Sequence, residues 1–296
     1  MKNLFLKAGF VLVFFVFFTS CGDDEDNGPQ TASLDLNLSN LANLGADEQY
    51  EGWIIVNGSP VSTGTFTVDD MGQLSQSSFT VDQTNLDNAA AFVLSIEPIP
   101  DTDPAPSAIK LLGGDFSGNS ASISVNHGAA LGDDFSSASG KYFLATPTSA
   151  TDNDPTSGFW FIDNSSGTAA PGLSLPALPA GWVYEGWAVI DGSPLSSGTF
   201  TMVDVADNNA PFSGSEQGPP FPGEDFVQNA PAGLTFPVDL TGNTIVVSIE
   251  PSPDNSAAPF QLKPLVMETP ASAMPMEVID MNNMVSSTFP SGTVTR

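Results

Sequence analysis

Tyr50 to Val68 reads YEGWIIVNGSPVSTGTFTV and Tyr184 to Met202 reads YEGWAVIDGSPLSSGTFTM, with 12 of 19 positions identical. Chance does not give such a match, so the chain carries two copies of one module. Trp53-Ile54-Ile55-Val56 is aromatic and β-branched, the composition that a pleated, half-buried strand favours. Asn57-Gly58 and Asp191-Gly192 are two-residue hairpin turns, and Thr65-Phe66-Thr67-Val68 alternates polar with apolar. Pro60 and Pro194 have no N–H for a ladder, which makes that part of the returning strand a sheet edge or an irregular entry.

A second matched pair follows in the same order. Val93 to Pro98 is VLSIEP and Val246 to Pro251 is VVSIEP, each running into a Pro/Asp-rich stretch. From Tyr to Glu the first copy spans 47 residues and the second 66. The surplus falls mainly between Pro211 and Gly233, rich in Gly, Pro and acidic residues, and is expected to be an exposed loop. Further strands are predicted at Leu34–Leu38, Phe92–Ile96, Ala121–Val125, Tyr142–Ala145, Phe159–Ile162 and Thr244–Ile249. Helix-period patterns are nearly absent. The expected fold class is all-β, two tandem Ig-like β-sandwich modules after a lipoprotein signal peptide. The expected divisions are a signal peptide at 1–20, an acidic tether at 21–32, and modules at 33–172 and 173–296.

The chain has 296 residues, 34 acidic and 6 basic, for a net charge of −28. Nucleic-acid affinity is supplied mainly by Lys and Arg neutralising phosphates, so no nucleic-acid partner is expected. One Cys excludes a disulfide scaffold or cysteine metal cluster, and one His removes most His-based catalysis and zinc sites.

Lys2 and Lys7 precede an apolar run from Ala8 to Phe18, short for a membrane span and suited to a signal-peptide core. The following Phe18-Thr19-Ser20-Cys21 resembles the lipobox of bacterial lipoproteins. That resemblance implies cleavage before Cys21 and acylation there, with diacylglycerol and palmitate chains as the membrane anchor. Gly22-Asp23-Asp24-Glu25-Asp26 resembles the export signal of Bacteroidetes lipoproteins, which implies the outer membrane and its outer surface.

The order of Trp, apolar strand, Gly-x-Phe and Glu-Pro with a Pro-containing loop resembles the extracytoplasmic C-terminal domain of anti-sigma-K factors. Trp53, Gly64, Phe66, Glu97 and Pro98 carry it in the first copy, and Trp187, Gly198, Phe200, Glu250 and Pro251 in the second. The resemblance implies a β-rich extracytoplasmic module used in envelope sensing or binding. Sigma-binding members carry a zinc-containing or helical domain and a membrane span ahead of it. Neither is recognised here, so direct sigma-factor binding is not expected.

Tyr50, Glu51, Gly52, Tyr184, Glu185 and Gly186 complete the repeated motif and are read as structural. Glu51, Glu97, Glu185 and Glu250 are the carboxylates repeated inside it. Paired carboxylates roughly 5 to 10 Å apart suit glycoside hydrolysis. The preferred reading is structural, with Glu97 accepting turn N–H groups and Glu51 on an edge. Trp53 and Trp187 are expected in the core, Trp182 as an exposed aromatic, and Trp160 in the core with its apolar neighbours. Asp101-Thr102-Asp103 and Asp152-Asn153-Asp154 offer oxygen ligands but lack a calcium-loop spacing, and His127 reads as a loop residue. No enzyme activity, cofactor or metal is assigned. The expected partners are the membrane and an envelope protein or glycan, with a carbohydrate-active protein or an adhesive spacer as alternatives.

Overall fold

The computed structural model describes residues 30–151, 153–254 and 256–296. Cys21, the signal segment, the acidic tether up to 29 and Asp152 lie outside the described residues, as do the readings that rest on them. Among the described residues no helix is long and apolar enough to cross a membrane.

The first copy supplies β1 (Thr31–Ser39), β2 (Glu48–Val56), β3 (Ser59–Phe66), β4 (Ser78–Asp82), β5 (Ala89–Pro98), β6 (Lys110–Asp115) and β7 (Ser120–Ser124). One short helix, α1 (Gln83–Asp87), intervenes, with the Asp82 carboxylate accepting the Asn85 N–H at 2.9 Å as its cap. Next come β8 (Ser139–Leu144), β9 (Gly158–Trp160), β10 (Ile162–Asp163), β11 (Ala170–Pro171) and β12 (Leu173–Ser174). The second copy brings β13 (Trp182–Ile190), β14 (Ser193–Phe200), β15 (Gly223–Asp225), β16 (Thr244–Pro251) and β17 (Leu265–Glu268). Last are β18 (Ile279–Asp280), β19 (Asn282–Asn283), the short helix α2 (Val285–Thr288) and β20 (Ser291–Thr295).

Among the described residues every strand pairing is antiparallel; five of the six strands predicted from composition are present, and the sixth, Phe159–Ile162, is split at Phe161 into β9 and β10, which join different sheets. In both hairpins the turn residues have positive φ, 51° and 78° at Asn57-Gly58 and 50° and 78° at Asp191-Gly192. That is the turn whose twist matches a two-residue hairpin, and Asn, Asp and Gly tolerate it best. Pro60 and Pro194 lie on β3 and β14, which are edge strands as expected.

The largest sheet runs β3-β2-β5-β6-β7-β20-β1-β4. It rolls until its outer strands approach, with the rings of Phe66 and Phe79 6.1 Å apart, so that its two halves enclose a sandwich-like core. Tyr50 stacks on Phe66 at 5.4 Å inside it. β20 comes from far along the chain. It inserts between β1 and β7, pairing Asp35 with Thr295 and Ser124 with Ser291. Arg296 fixes this insertion by donating to the Leu86 and Ala89 carbonyls and lying 4.3 Å over the Phe116 ring.

Around the second copy, β14-β13-β16-β17-β19 forms one sheet and β12-β8-β9-β15 another, with β18 also pairing β8. The two meet through Phe161 and Phe200, 6.5 Å apart, and through the Tyr142 hydroxyl, 2.8 Å from Thr269 Oγ1. Gly172 lies between β11 and β12, and packing runs across it: β8 to β10 precede it and enclose the second copy, while β20 follows it and completes the first sheet.

The stretch from Pro211 to Gly233 is not simply an exposed loop. β15 pairs with β9 inside it, burying Glu224 and Asp225 completely. Asp225 accepts the Trp160 indole N–H at 2.8 Å and the Thr148 N–H at 2.7 Å, which anchors the insertion.

Candidate functional site

The repeated residues converge on one device, built twice. On β2 the register with β3 shifts between Gly52 and Trp53, leaving Thr63 as the extra residue of a bulge; on β13 the shift falls between Gly186 and Trp187 and leaves Ser197. The extra side chain sits over the glycine opposite it. A Cβ on Gly52 would lie 2.5 Å from Thr63 Oγ1, and one on Gly186 would lie 2.5 Å from Ser197 Oγ. The chain leaves the bulge through Gly64 and Gly198, at φ of 121° and 124°, where a side chain is disfavoured. This explains why the motif requires Gly at both places.

The bulge re-aims the preceding hydroxyl. Ser62 donates to Glu51 Oε1 and Ser196 donates to Glu185 Oε1, both through short hydrogen bonds. Directly across the ladder from these glutamates stand Ser95 and Ser248. The Trp53 indole N–H donates to Ser95 Oγ at 2.8 Å, and Ser95 Oγ donates in turn to Glu97 Oε1. The second copy repeats this relay from Trp187 to Ser248, at 2.8 Å, and on to Glu250. Backbone N–H groups complete it, from Ser107 to Glu97 at 2.9 Å and from Phe260 to Glu250 at 2.8 Å. Tyr50 and Tyr184 brace the far end by donating to carbonyls eight residues upstream, Ala42 at 2.9 Å and Pro176 at 2.6 Å.

Glu97 thus accepts a turn N–H, as expected. Glu51 does not lie on an edge: β2 is flanked by β3 and β5, and its carboxylate is buried between them. Trp53 and Trp187 are buried, though outside the main apolar cluster, where their N–H groups reach a serine partner. Trp160 is in the core. Trp182 is the misplaced aromatic, 3% exposed rather than at the surface, because it packs on Phe260 with ring centres 6.2 Å apart. Asp101 accepts the Asp103 N–H at 2.9 Å, as in an ordinary turn. His127 sits beside Gly113 with its Nε2 3.3 Å from Asp115, in a loop.

The two sites differ in their cover. In the first copy Gly64 abuts the Phe79 ring. In the second, Gly198 faces the Asp207 carboxyl and the Asn209 backbone, just ahead of the insertion, and Thr199 and Asn208 exchange hydrogen bonds of 2.9 and 3.0 Å. There the Pro-rich loop after Glu250 also brings in a third acid. Carboxylate oxygens of Glu185, Glu250 and Asp254 lie within 4.8 Å of one another. Burial, then the neighbouring negative charges, pushes the Glu185 and Glu250 carboxyls well above the usual range, against the pull of the serine hydrogen bonds. Burial also raises Glu51, opposed by Ser62.

Sequence reading did not single out Asp254, nor the half-buried Asp207 and the buried Glu224. Burial lifts Asp207 to about 7 and Glu224 to about 8. A signal for the third acid was present: Glu97-Pro98-Ile99-Pro100-Asp101 and Glu250-Pro251-Ser252-Pro253-Asp254 place an Asp four residues after each repeated Glu.

No curated protein matches this chain, and no solved structure does. Residues 29–109, the stretch from the start of β1 to the edge of β6, match the family model of the anti-sigma-K factor rskA, C-terminal.

Proposed function

We propose that this chain is a non-enzymatic, lipid-anchored protein of the cell envelope whose two modules act in binding or envelope sensing. The observation that carries this reading is the match of residues 29–109 to the anti-sigma-K factor C-terminal domain. The second copy joins the proposal because it repeats the bulge, the Trp-Ser-Glu relay and the tyrosine brace of the first. Acylation of Cys21 and display on the outer membrane belong to the same proposal, on the motif at Phe18 to Cys21 and the acidic run after it. Sequestration of a sigma factor is not part of it.

In-cell crosslinking of the tagged full chain, followed by detergent purification, tests the reading. Co-recovery of a membrane-spanning regulator or receptor is expected, and Cys21→Ser is expected to release the chain from membranes. A cytoplasmic location, or membrane retention of the Ser variant, would count decisively against it.

A carbohydrate-active role is the second reading, favoured by the buried Glu185 and Glu250 carboxylates on adjacent strands, although within 4.8 Å they stand closer than the roughly 5 to 10 Å that glycoside hydrolysis uses. Its requirement is turnover on a polysaccharide panel that Glu250→Gln abolishes.

A further inference from the structure

Three carboxylates gathered within 4.8 Å among the described residues pose an electrostatic problem. Two of them, Glu185 and Glu250, are 4% and 0% exposed, so water does little to screen their repulsion. In each, Oε1 is satisfied by its serine, and in Glu250 by an N–H as well. The second oxygen, Oε2, is buried in both and has no hydrogen-bond partner. A buried carboxylate oxygen without a donor is costly unless something balances it. Lys263 is the cation acting on Glu250, but among the described residues no ion pair joins it to any of the three acids.

From this geometry we infer that Glu185, Glu250 and Asp254 form a binding site for a hard divalent cation, calcium before magnesium. Calcium takes oxygen ligands at about 2.3–2.6 Å, so two ligands on opposite sides of one ion stand about 4.8 Å apart. The oxygens of all three carboxylates fall within that span, so one ion could reach them together. Magnesium demands a tighter octahedron of about 2.1 Å and gives up its water reluctantly. Glu185 and Asp254 line a cavity of about 330 Å³ together with Ser196, Asn208, Asn209 and Ser252, which supplies further oxygens and room for water. Two ligands sit on adjacent central strands already fixed by the serine relay. The third is on a loop, which gives the flexibility that calcium tolerates. This inference is independent of how the chain is anchored or addressed.

The test is isothermal titration of CaCl₂ into the chelator-treated full chain at neutral pH, with thermal unfolding in calcium and in chelator alongside. Saturable binding is expected with Kd in the range of about 10⁻⁵ to 10⁻³ M, and a higher Tm in calcium. Glu185→Gln and Asp254→Asn are each expected to weaken calcium binding at least about tenfold by removing one charged ligand. Glu51→Gln is the control that leaves the site intact. Circular dichroism establishes that each variant is folded; Asp254, on a partly exposed loop, decides the matter should Glu185→Gln not fold. Absence of saturable binding in the parent chain, or unchanged affinity in Asp254→Asn, overturns the site. So does the remaining outcome, in which calcium leaves the parent unmoved while both variants raise its Tm in chelator. That result would identify a shared proton as the balancing charge.

Discussion

The two copies share a sequence motif and an identical hydrogen-bond relay, yet their carboxylates live in different surroundings. In the first copy the bulge glycine rests on an aromatic ring of a neighbouring strand. In the second it rests on the polar side chain of Asp207 and the backbone of Asn209, and the loop after the Glu-Pro pair folds a third acid inward. Residues inside the repeat fix the relay, because a bulge, its glycine and the serine behind it are local. What surrounds the relay differs: the cover over the bulge glycine comes from segments outside the repeat, while the third acid has a counterpart, Asp101, whose charge also acts on Glu51. The two copies thus share the scaffold and the acids and differ in how closely the acids are gathered.

Trp53→Ala and Trp187→Ala challenge the equivalence most severely. Each removes a buried indole and strands a serine hydroxyl, and each is expected to cost about 3–5 kcal/mol in urea unfolding. A large effect in one copy and none in the other would break the equivalence. Gly52→Ala and Gly186→Ala come next, at about 1–3 kcal/mol each, since the new Cβ would overlap the bulge residue and, in turn, Phe92 or Phe161.

Titration separates the copies. A carboxyl whose folded pKa is raised holds more protons folded than unfolded, so its contribution is fully present below the unfolded value and is lost as pH climbs through the folded one. For Glu185 that loss begins near its ordinary value of 4.5 and runs upward. In calcium-free buffer Glu185→Gln, which keeps an acceptor for Ser196, is expected to gain on the order of 1 kcal/mol at pH 8 and nothing at pH 4. Glu51→Gln is expected to gain less, because the gathered trio belongs to the second copy. Urea midpoints across the pH range check both. The smallest effect is expected for Ser62→Ala and Ser196→Ala, about 0.5–1.5 kcal/mol each for a lost hydrogen bond to a buried acid.

Much of this architecture was legible in residue order. Alternation, Asn-Gly and Asp-Gly turns and the prolines at 60 and 194 place the hairpins and their edges, because those features act over a few residues. The role of Glu97 at a strand end was legible for the same reason. Burial of Trp182 was not, since it depends on Phe260, far along the chain. Nor was the position of Glu51, which looks peripheral until β5 arrives on its other side. The Pro211–Gly233 insertion reads as a loop by composition, yet Asp225 draws it inward through Trp160 and Thr148, contacts that no local pattern encodes. Asp254 sat in plain view as the last residue of a repeated Glu-Pro-x-Pro-Asp run. Its meaning appears only when β13 and β16 place two other acids beside it.

The insertion of β20 between β1 and β7 sets an order of events for the living chain. Residues 31–39 and 120–124 are made early but lack their shared neighbour until residues 291–295 have emerged. Joining segments that far apart adds little entropy beyond that of a moderate loop, but it slows the search. Until those residues emerge the first sheet therefore has an open seam with two unpaired strand borders, the kind of surface that invites association with other chains. The first sheet can close only once residues 291–295 are available to fill the seam.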